Sequence, residues 1–566
     1  MHLRVTKVKQ KNGIAEFVQL VESERHPETG VPRARVIQHL GRKDQLDVEA
    51  LKRLVKSISR FIDEPAAEGG PVQGSLFDVA GFEKAPFEFL GARSLGAVWL
   101  LDGLWKRFGI DRILGKLLAG RDFTTPIERL LFAMVANRAV APCSKLAMED
   151  WVAKDVVVPG LDAVGSEQLY RAMDFLLAAD ADIQEGIFFS VANLLNLEVD
   201  LVFLDTTSTY FEVEDPDEPG DERLHLRQRG YSKDNHPELP QVVIGFAMTK
   251  QGIPVRCWTW SGNTSDQSVI EQVKKDLNGW KLGRVVTVAD AGFNSEKNRR
   301  VLQQAGGHYI IGEKLRVTAT GHPAEALSRG GRFKTLDDGL EIKEVKVGGD
   351  GAKARRYVVV KNPDVARRDK AKRDDIVAEV ERRLAALKEL DGEPHQKAEC
   401  ALRSHATFGR YVTQTPTGRL KLHRDKITTE ELLDGKFLVS TSDDSLSAEE
   451  IVYGYKALWA IERTFRDMKH VLDIRPVYHR LSDRIRAHVL LCWLAMVLVR
   501  VAESETGETW PALRAEMGRH QLATLAGKNG TVQHTSRPTT FQIATYKACK
   551  VDPPPKIHSM SASRKE

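Results

Sequence analysis

The chain has 566 residues, 42% of them hydrophobic and 28% charged, with a formal net charge of +5 and a pI near 8.7. That is length enough for several domains, a composition typical of soluble globular proteins, and a mildly basic balance that permits nucleic acid as a partner without requiring it. The five cysteines (Cys143, Cys257, Cys400, Cys492, Cys549) are scattered, with no CxxC or Cys/His cluster, which argues against a zinc site and for a reducing compartment. The first residues, MHLRVTKVKQKNG, lack an apolar signal core, and the most apolar run, 489–499, is short for a bilayer span. The expected location is the cytoplasm, with no membrane anchor.

In chain order, 1–63 reads as a small β unit plus a helix. Candidate strands at 14–21 and 33–40 flank a Pro/Gly loop, and an amphipathic helix follows at 47–63. Its basic residues suit phosphate contact or a solvated sheet face equally well. Residues 64–90 form a linker rich in Gly, Pro and Glu. Residues 91–198 are helical, with helices expected at 95–108, 110–118, 126–139, 143–153, 166–178 and 181–196. Short helices with tight connections suit either DNA binding or support of a neighbouring domain.

The pattern changes at Val199. VDLVFLD reads as an apolar strand ending in Asp205, and a long polar loop (212–239) follows, closing with GYSKDNHPELPQ. Strands at 241–249 and 254–260, a helix at 265–277, a strand ending in Asp290, a helix at 294–305 and a strand at 308–312 complete the first part of a mixed sheet, 199–312. Residues 313–435 interrupt it as a β-rich insertion around a charged helix at 369–390. The core resumes at 436–503, and 504–566 reads as a further helix and a mobile tail rich in Ser, Thr, Pro and Lys.

The segment 448–476 reads as one long helix, N-capped by Ser447 and stopped at Pro476. Tyr455, Glu462 and Lys469, seven apart, fall near one line along it, with Arg466 one turn beyond Glu462. Taken alone, that stripe is a charged outer face. Its upstream company changes the reading. Asp205 and Asp290 each end an apolar strand, at the sheet edge where functional groups gather, and Glu462 sits on a helix able to cross that edge. Three carboxylates are oxygen ligands suited to Mg²⁺ or Mn²⁺, and a metal pair can activate a water or 3′-hydroxyl against a phosphodiester.

The blocks LVFLDTTSTYFE, QVVIGFAMTKQGIPV, GNTSD, VVTVADAGFNSEKN and YKALWAIERTFRDMKHVLDIRPVYH, in that order, resemble the DDE transposases of bacterial insertion sequences. The match is to the insertion sequence four-like group, with a Tyr-Arg-Glu-Lys signature around its third acid. The resemblance implies an α/β fold with a ribonuclease H-like catalytic core, and cut-and-paste DNA transposition by cleavage and strand transfer. It makes Asp205, Asp290 and Glu462 the catalytic, metal-binding acids of a two-metal site, and Tyr455 and Lys469 contacts to DNA phosphates. The signature arginine falls on Leu458, so Arg463 or Arg466 is expected to take over phosphate contact. The implied partners are the element's terminal inverted repeats and target DNA, with a homodimer in the synaptic complex and a place at the bacterial nucleoid. An aromatic holding a flipped base would be needed if a hairpin forms; Trp258 and Trp260 are the nearest by sequence, though strand packing suits both. The other readings are a nuclease of the same core without strand transfer, and a catalytically silent DNA-binding descendant.

Overall fold

The computed structural model describes residues 2–10, 13–25, 32–42, 87–121, 125–194, 201–218, 223–280, 285–315, 321–349, 354–475, 477–527 and 530–562. The chain divides into two compact units, 1–85 and 86–566. The first is an antiparallel meander of β1 (His2–Gln10), β2 (Gly13–Arg25) and β3 (Pro32–Arg42). It contains one strand more than the two expected. Val18 and Val21 of β2 are buried. The expected helix at 47–63 and most of the 64–90 linker lie outside the described residues.

In the second unit, the end of the expected linker already belongs to a strand, β4 (Phe87–Ser94). Helices follow at Gly96–Arg107 (α1), Ile110–Leu118 (α2), Ile127–Val140 (α3), Ser166–Ala178 (α4) and Asp180–Leu194 (α5). The expected 143–153 helix is a single α turn, Ala147–Asp150, running into a π turn, Trp151–Asp155.

The large sheet has nine strands in the order β10-β11-β12-β15-β9-β8-β5-β6-β7. At its centre β5 (Leu201–Tyr210), β8 (Val286–Ala289) and β9 (His308–Gly312) are parallel. On one side β6 (Gln241–Met248) is antiparallel to β5, and β7 (Pro254–Ser261) is antiparallel to β6. On the other, β10 (Lys334–Thr335), β11 (Glu341–Val347), β12 (Arg355–Lys361) and β15 (Lys436–Thr441) join β9. The insertion therefore extends the core sheet and does not form its own layer. Among its described residues, only the hairpin of β13 (Val412–Gln414) with β14 (Leu420–Leu422) is a strand pair apart from that sheet. This is a mixed α/β fold.

Helices cover both faces. Val202 and Leu204 of β5 pack with Ile270, Val273 and Leu277 of α6 (Ile270–Asn278) and Leu302 of α7 (Glu296–Gln303). Phe203 points the other way, into the core shared with α1 to α4, as the two-residue period of a strand requires. The insertion's charged helix spans Pro363–Leu387 (α8), followed by Gly392–Ser404 (α9).

The expected single helix at 448–476 is two: Ala448–Lys456 (α10) and Leu458–His470 (α11). Ser447 and Glu450 form the capping box that starts α10. At Ala457 the N–H is shared between the Tyr453 and Gly454 carbonyls, a tightening that interrupts the helix. Gly454 lies against Leu201 and Ile310, where an added Cβ would be 3.6 Å from each side chain. The second helix stops well before Pro476, which lies outside the described residues. Asp473 takes a left-handed φ of 44°, and the Ile474 N–H returns to the Met468 carbonyl at 3.2 Å, closing the end of the helix.

Ser482–Thr506 (α12) is long and apolar enough to cross a membrane by length and composition, but 94% of its most apolar window is buried within the protein. It packs against α3, α4 and β7. The expected mobile tail is structured through Ala562. Trp510–Met517 (α13) and Thr540–Ala548 (α14) accompany β16 (Gln521–Gly527), β17 (Gly530–Thr535) and β18 (Ile557–Ala562). These strands form a four-stranded sheet closed by β4, in the order β18-β17-β16-β4.

Candidate active site

The parallel register of β5 and β8 brings two acids together. Leu201 to Leu204 pair with Val286 to Ala289 one for one, and the next residue on each strand is Asp205 and Asp290. Asp290 ends its strand and caps the 3₁₀ turn Ala291–Phe293, its Oδ1 accepting the Gly292 N–H at 2.8 Å. Asp205 does not end β5, which stays paired with β6 as far as Tyr210. It stands where β5 loses its parallel neighbour and keeps its antiparallel one. The acid is thus held rigidly at a step in the sheet, and not on a loose strand end.

Both acids continue the alternation of Phe203 and Val288, the residues facing the core beneath α11. Phe246, directly opposite Asp205, stacks on Phe465 of α11 with ring centroids 5.0 Å apart. Glu462 lies one helical turn before Phe465 and is exposed. The Tyr455 ring sits over Gly312 at the end of β9, where an added Cβ would be 2.1 Å from the phenol oxygen. Burial pushes the Tyr455 hydroxyl up to about 12, and the negative charges of Asp290, Glu313, Asp205 and Glu462 add to it. One phenol therefore senses all three predicted acids. Among the described residues, however, no group of three or more His, Cys, Asp or Glu side chains is close enough to hold a metal ion. The structure pairs Asp205 with Asp290 and leaves Glu462 on a helix facing the same region.

Asp205 and Asp290, without Glu462, line a cavity of about 800 Å³ with Asp266, Lys233, Lys314 and Tyr231. Asp205 is pushed up to about 7, first by burial, then by the negative charges of Asp290 and Asp266; Lys233 and the Thr206 N–H oppose the rise. Lys233 Nζ lies 3.2 Å from Asp266 Oδ2 and 3.9 Å from Asp205 Oδ1, and donates to Thr206 O and Oγ1 at 2.8 and 2.7 Å. Asp266 also accepts from the Thr206 hydroxyl. Negative charge crowded on hard oxygen donors, one of them held back from ionising, suits a divalent cation.

The remaining predicted residues divide. Lys469 is turned inward, its Nζ 2.6 Å from Asp234 in a largely buried pair that Arg475 joins at 3.3 Å. Arg463 and Arg466 are exposed, Arg463 within 3.7 Å of Asp467. Trp258 and Trp260 stack on each other and donate their indole N–H groups to Asp276 and Gln272, a packing role. Trp459, one turn before Glu462, is instead 81% exposed.

Sequence reasoning missed Lys233 and Asp266, although both stand in recognisable blocks, GYSKDNHPELPQ and GNTSD. It also missed Glu313 and Arg299, a buried pair at 2.5 Å. Asn294, just past the second acid's turn, donates to Glu313 Oε2 at 2.7 Å and to the Gly312 carbonyl at 2.9 Å. These contacts tie the Asp290 turn to β9.

Residues 3–69 match the family model of the IS1634 family transposase N-terminal domain, and residues 227–498 match that of the transposase DDE domain. No curated protein matches the chain. Among solved structures, a cryo-EM structure of piggyBac transposase in a synaptic complex with hairpin DNA is similar at 10% identity and a TM-score of 0.33, over 75% of this chain and 78% of that one. DDE transposase domains use divalent metal ions and act on DNA. With an insertion-sequence N-terminal domain followed by a DDE domain, the chain is a DNA transposase, an enzyme that cleaves DNA and transfers the cut strand.

Proposed function

We propose that Asp205, Asp290 and Glu462 are the acids of a ribonuclease H-like core that carries out cut-and-paste transposition of an insertion sequence. The observation carrying this reading is the register that sets Asp205 beside Asp290 on parallel strands. These two would hold Mg²⁺ or Mn²⁺, and Glu462 would complete the set when DNA draws α11 toward the sheet. Bound there, the ions would supply the Lewis acidity that activates a water or 3′-hydroxyl and steadies the leaving oxygen. The chain's own residues do the rest. Lys233 offsets charge among the acids, Tyr455 packs α10, which leads into the third-acid helix, onto β9, and the Glu313–Arg299 pair fixes the Asp290 turn. Trp459, exposed beside Glu462, is better placed than Trp258 or Trp260 to stack on an unpaired base at the DNA end.

The proposed partners are terminal inverted repeats and target DNA, bound by a homodimer at synapsis, in the bacterial cytoplasm at the nucleoid. A pre-cut transposon end supplied with plasmid target tests the reading. Joined products support it, whereas cleavage of intact ends without joining leaves only the nuclease reading.

The exposed and the buried basic residues of α11 should behave differently. Arg466→Ala should weaken DNA binding and make its salt dependence shallower by about one counterion. Lys469→Met should instead lower stability, by about 3 kcal/mol, since it leaves Asp234 with Arg475 alone. Binding isotherms at several salt concentrations and urea unfolding of both variants separate the two effects.

A further inference from the structure

A second cavity, of about 560 Å³, lies between the loop after α3, α4, the segment after α11 and the start of α12. Its walls include Arg138, Lys145, Arg475, His479, His488 and a single carboxylate, Asp473. Lys145 is only 5% exposed, and no hydrogen bond or ion pair joins it to any described residue. Arg138, also 5% exposed, donates only to neutral acceptors: the Asp473 carbonyl at 3.3 Å, the Asn137 amide oxygen at 3.4 Å and the Cys143 carbonyl. Its Nε has no partner, and neither has His488 Nδ1. Two buried cationic side chains thus face a cavity with no carboxylate bonded to either. A buried charge without a counter-charge is expensive, and a protein that keeps one pairs it or neutralises it.

The surroundings show the same excess of positive charge. Burial, with the charges of Lys145, Arg484 and Arg138, pushes His479 down to about 4. Lys145 itself is pushed down to about 8, by burial and then by Arg138. At the mouth stand Tyr170, 37% exposed, and Tyr478, 76% exposed. A run of ion pairs leads from the cavity wall to the neighbour of Lys233. Arg475 bonds to Asp234, which bonds to Lys469 and directly follows Lys233.

We propose that this cavity is an anion site that takes a phosphate group, with Lys145 and Arg138 as its cationic contacts. Two sources fit the chemistry: a backbone phosphate of bound DNA, or a phosphate monoester free in solution.

The test uses the full chain and Lys145→Met, which keeps the length of the side chain while removing its charge. Lys145→Gln serves as a second variant. Because the buried ammonium has no partner, neither substitution removes a bond, and Lys145→Met should melt no lower than the parent in chloride. Inorganic phosphate at constant ionic strength should raise the parent's melting midpoint, by about 2 °C well above Kd, and should not raise that of either variant. Duplex DNA affinity across a salt series identifies the source. A slope shallower by about one counterion in the variants assigns the site to a DNA phosphate, with or without the melting effect. An unchanged slope, with the melting effect confined to the parent, assigns it to a free phosphate compound. If phosphate raises parent and variants alike, or none of them, and the slopes coincide, the proposal is overturned. Strand transfer does not enter these readouts, so they fail or succeed independently of the catalytic assignment.

Discussion

Asp205→Asn and Asp290→Asn should each lower DNA cleavage and strand transfer by about a thousandfold or more, while DNA affinity stays within about twofold. Each substitution keeps the shape and an oxygen, and removes the charge that a divalent cation needs. Cleavage of end-labelled DNA and a band shift on the same preparations measure both quantities. Full cleavage by either variant would take that residue out of the active site.

The same substitution has a stability signature of opposite sign. Asp205 is raised from its ordinary 3.8 to about 7. A raised carboxylate binds its proton more tightly in the folded chain than in the unfolded one. The penalty for ionising it is absent below about pH 4, grows through pH 7 and is complete above it. At 1.36 kcal/mol per pH unit, that gap is about 4 kcal/mol in the cation-free protein. Asp205→Asn should therefore stabilise the chelated protein at pH 8 and make no difference near pH 4. A variant that is inactive and yet more stable marks a residue kept for chemistry and not for folding.

The second large effect concerns the support of the Asp290 turn. Arg299→Ala should destabilise the fold by about 4 kcal/mol, because it strands the Glu313 carboxylate in a buried position. Arg299 and Glu313 are 8% and 4% exposed, so solvent cannot take over the lost partner. Removing both charges with Arg299→Ala and Glu313→Ala together should recover at least half of the loss. Urea unfolding of the two singles and the double measures the coupling, and strict additivity would show that the pair does not act as a unit. Cleavage should fall in Arg299→Ala even where the protein remains folded, since Asn294 and the Asp290 turn lean on Glu313.

Local signals in the chain were strong where the physics is local. The helices Ile110–Leu118 and Ser166–Ala178 fall at the expected boundaries, punctuated by glycine and serine at their starts. The two apolar runs leading into Asp205 and Asp290 read correctly as strands, because buried strands read as unbroken apolar stretches; that they are parallel neighbours is set by the fold. What escaped was set by distant partners. Nothing near Ala457 signals a helix break; the change comes where Gly454 packs on Leu201 and Ile310. Residues 504–527 suggested a further helix and 528–566 a mobile tail, yet Gln521–Gly527 is a strand paired with β4 more than 400 positions upstream, and strands follow it as far as Ala562. The inward turn of Lys469 depends on Asp234, 235 positions away. Asp266 was overlooked because it begins a 3₁₀ turn, with no apolar strand leading to it.

The most direct test is to replace the activating cation with Fe²⁺ in the protein–DNA complex and generate hydroxyl radicals locally with ascorbate and peroxide. Backbone cuts near 205, 290 and 462, all lost in Asp205→Asn, are the expected result. Cuts that avoid both 205 and 290, or that persist unchanged in Asp205→Asn, would contradict the assignment.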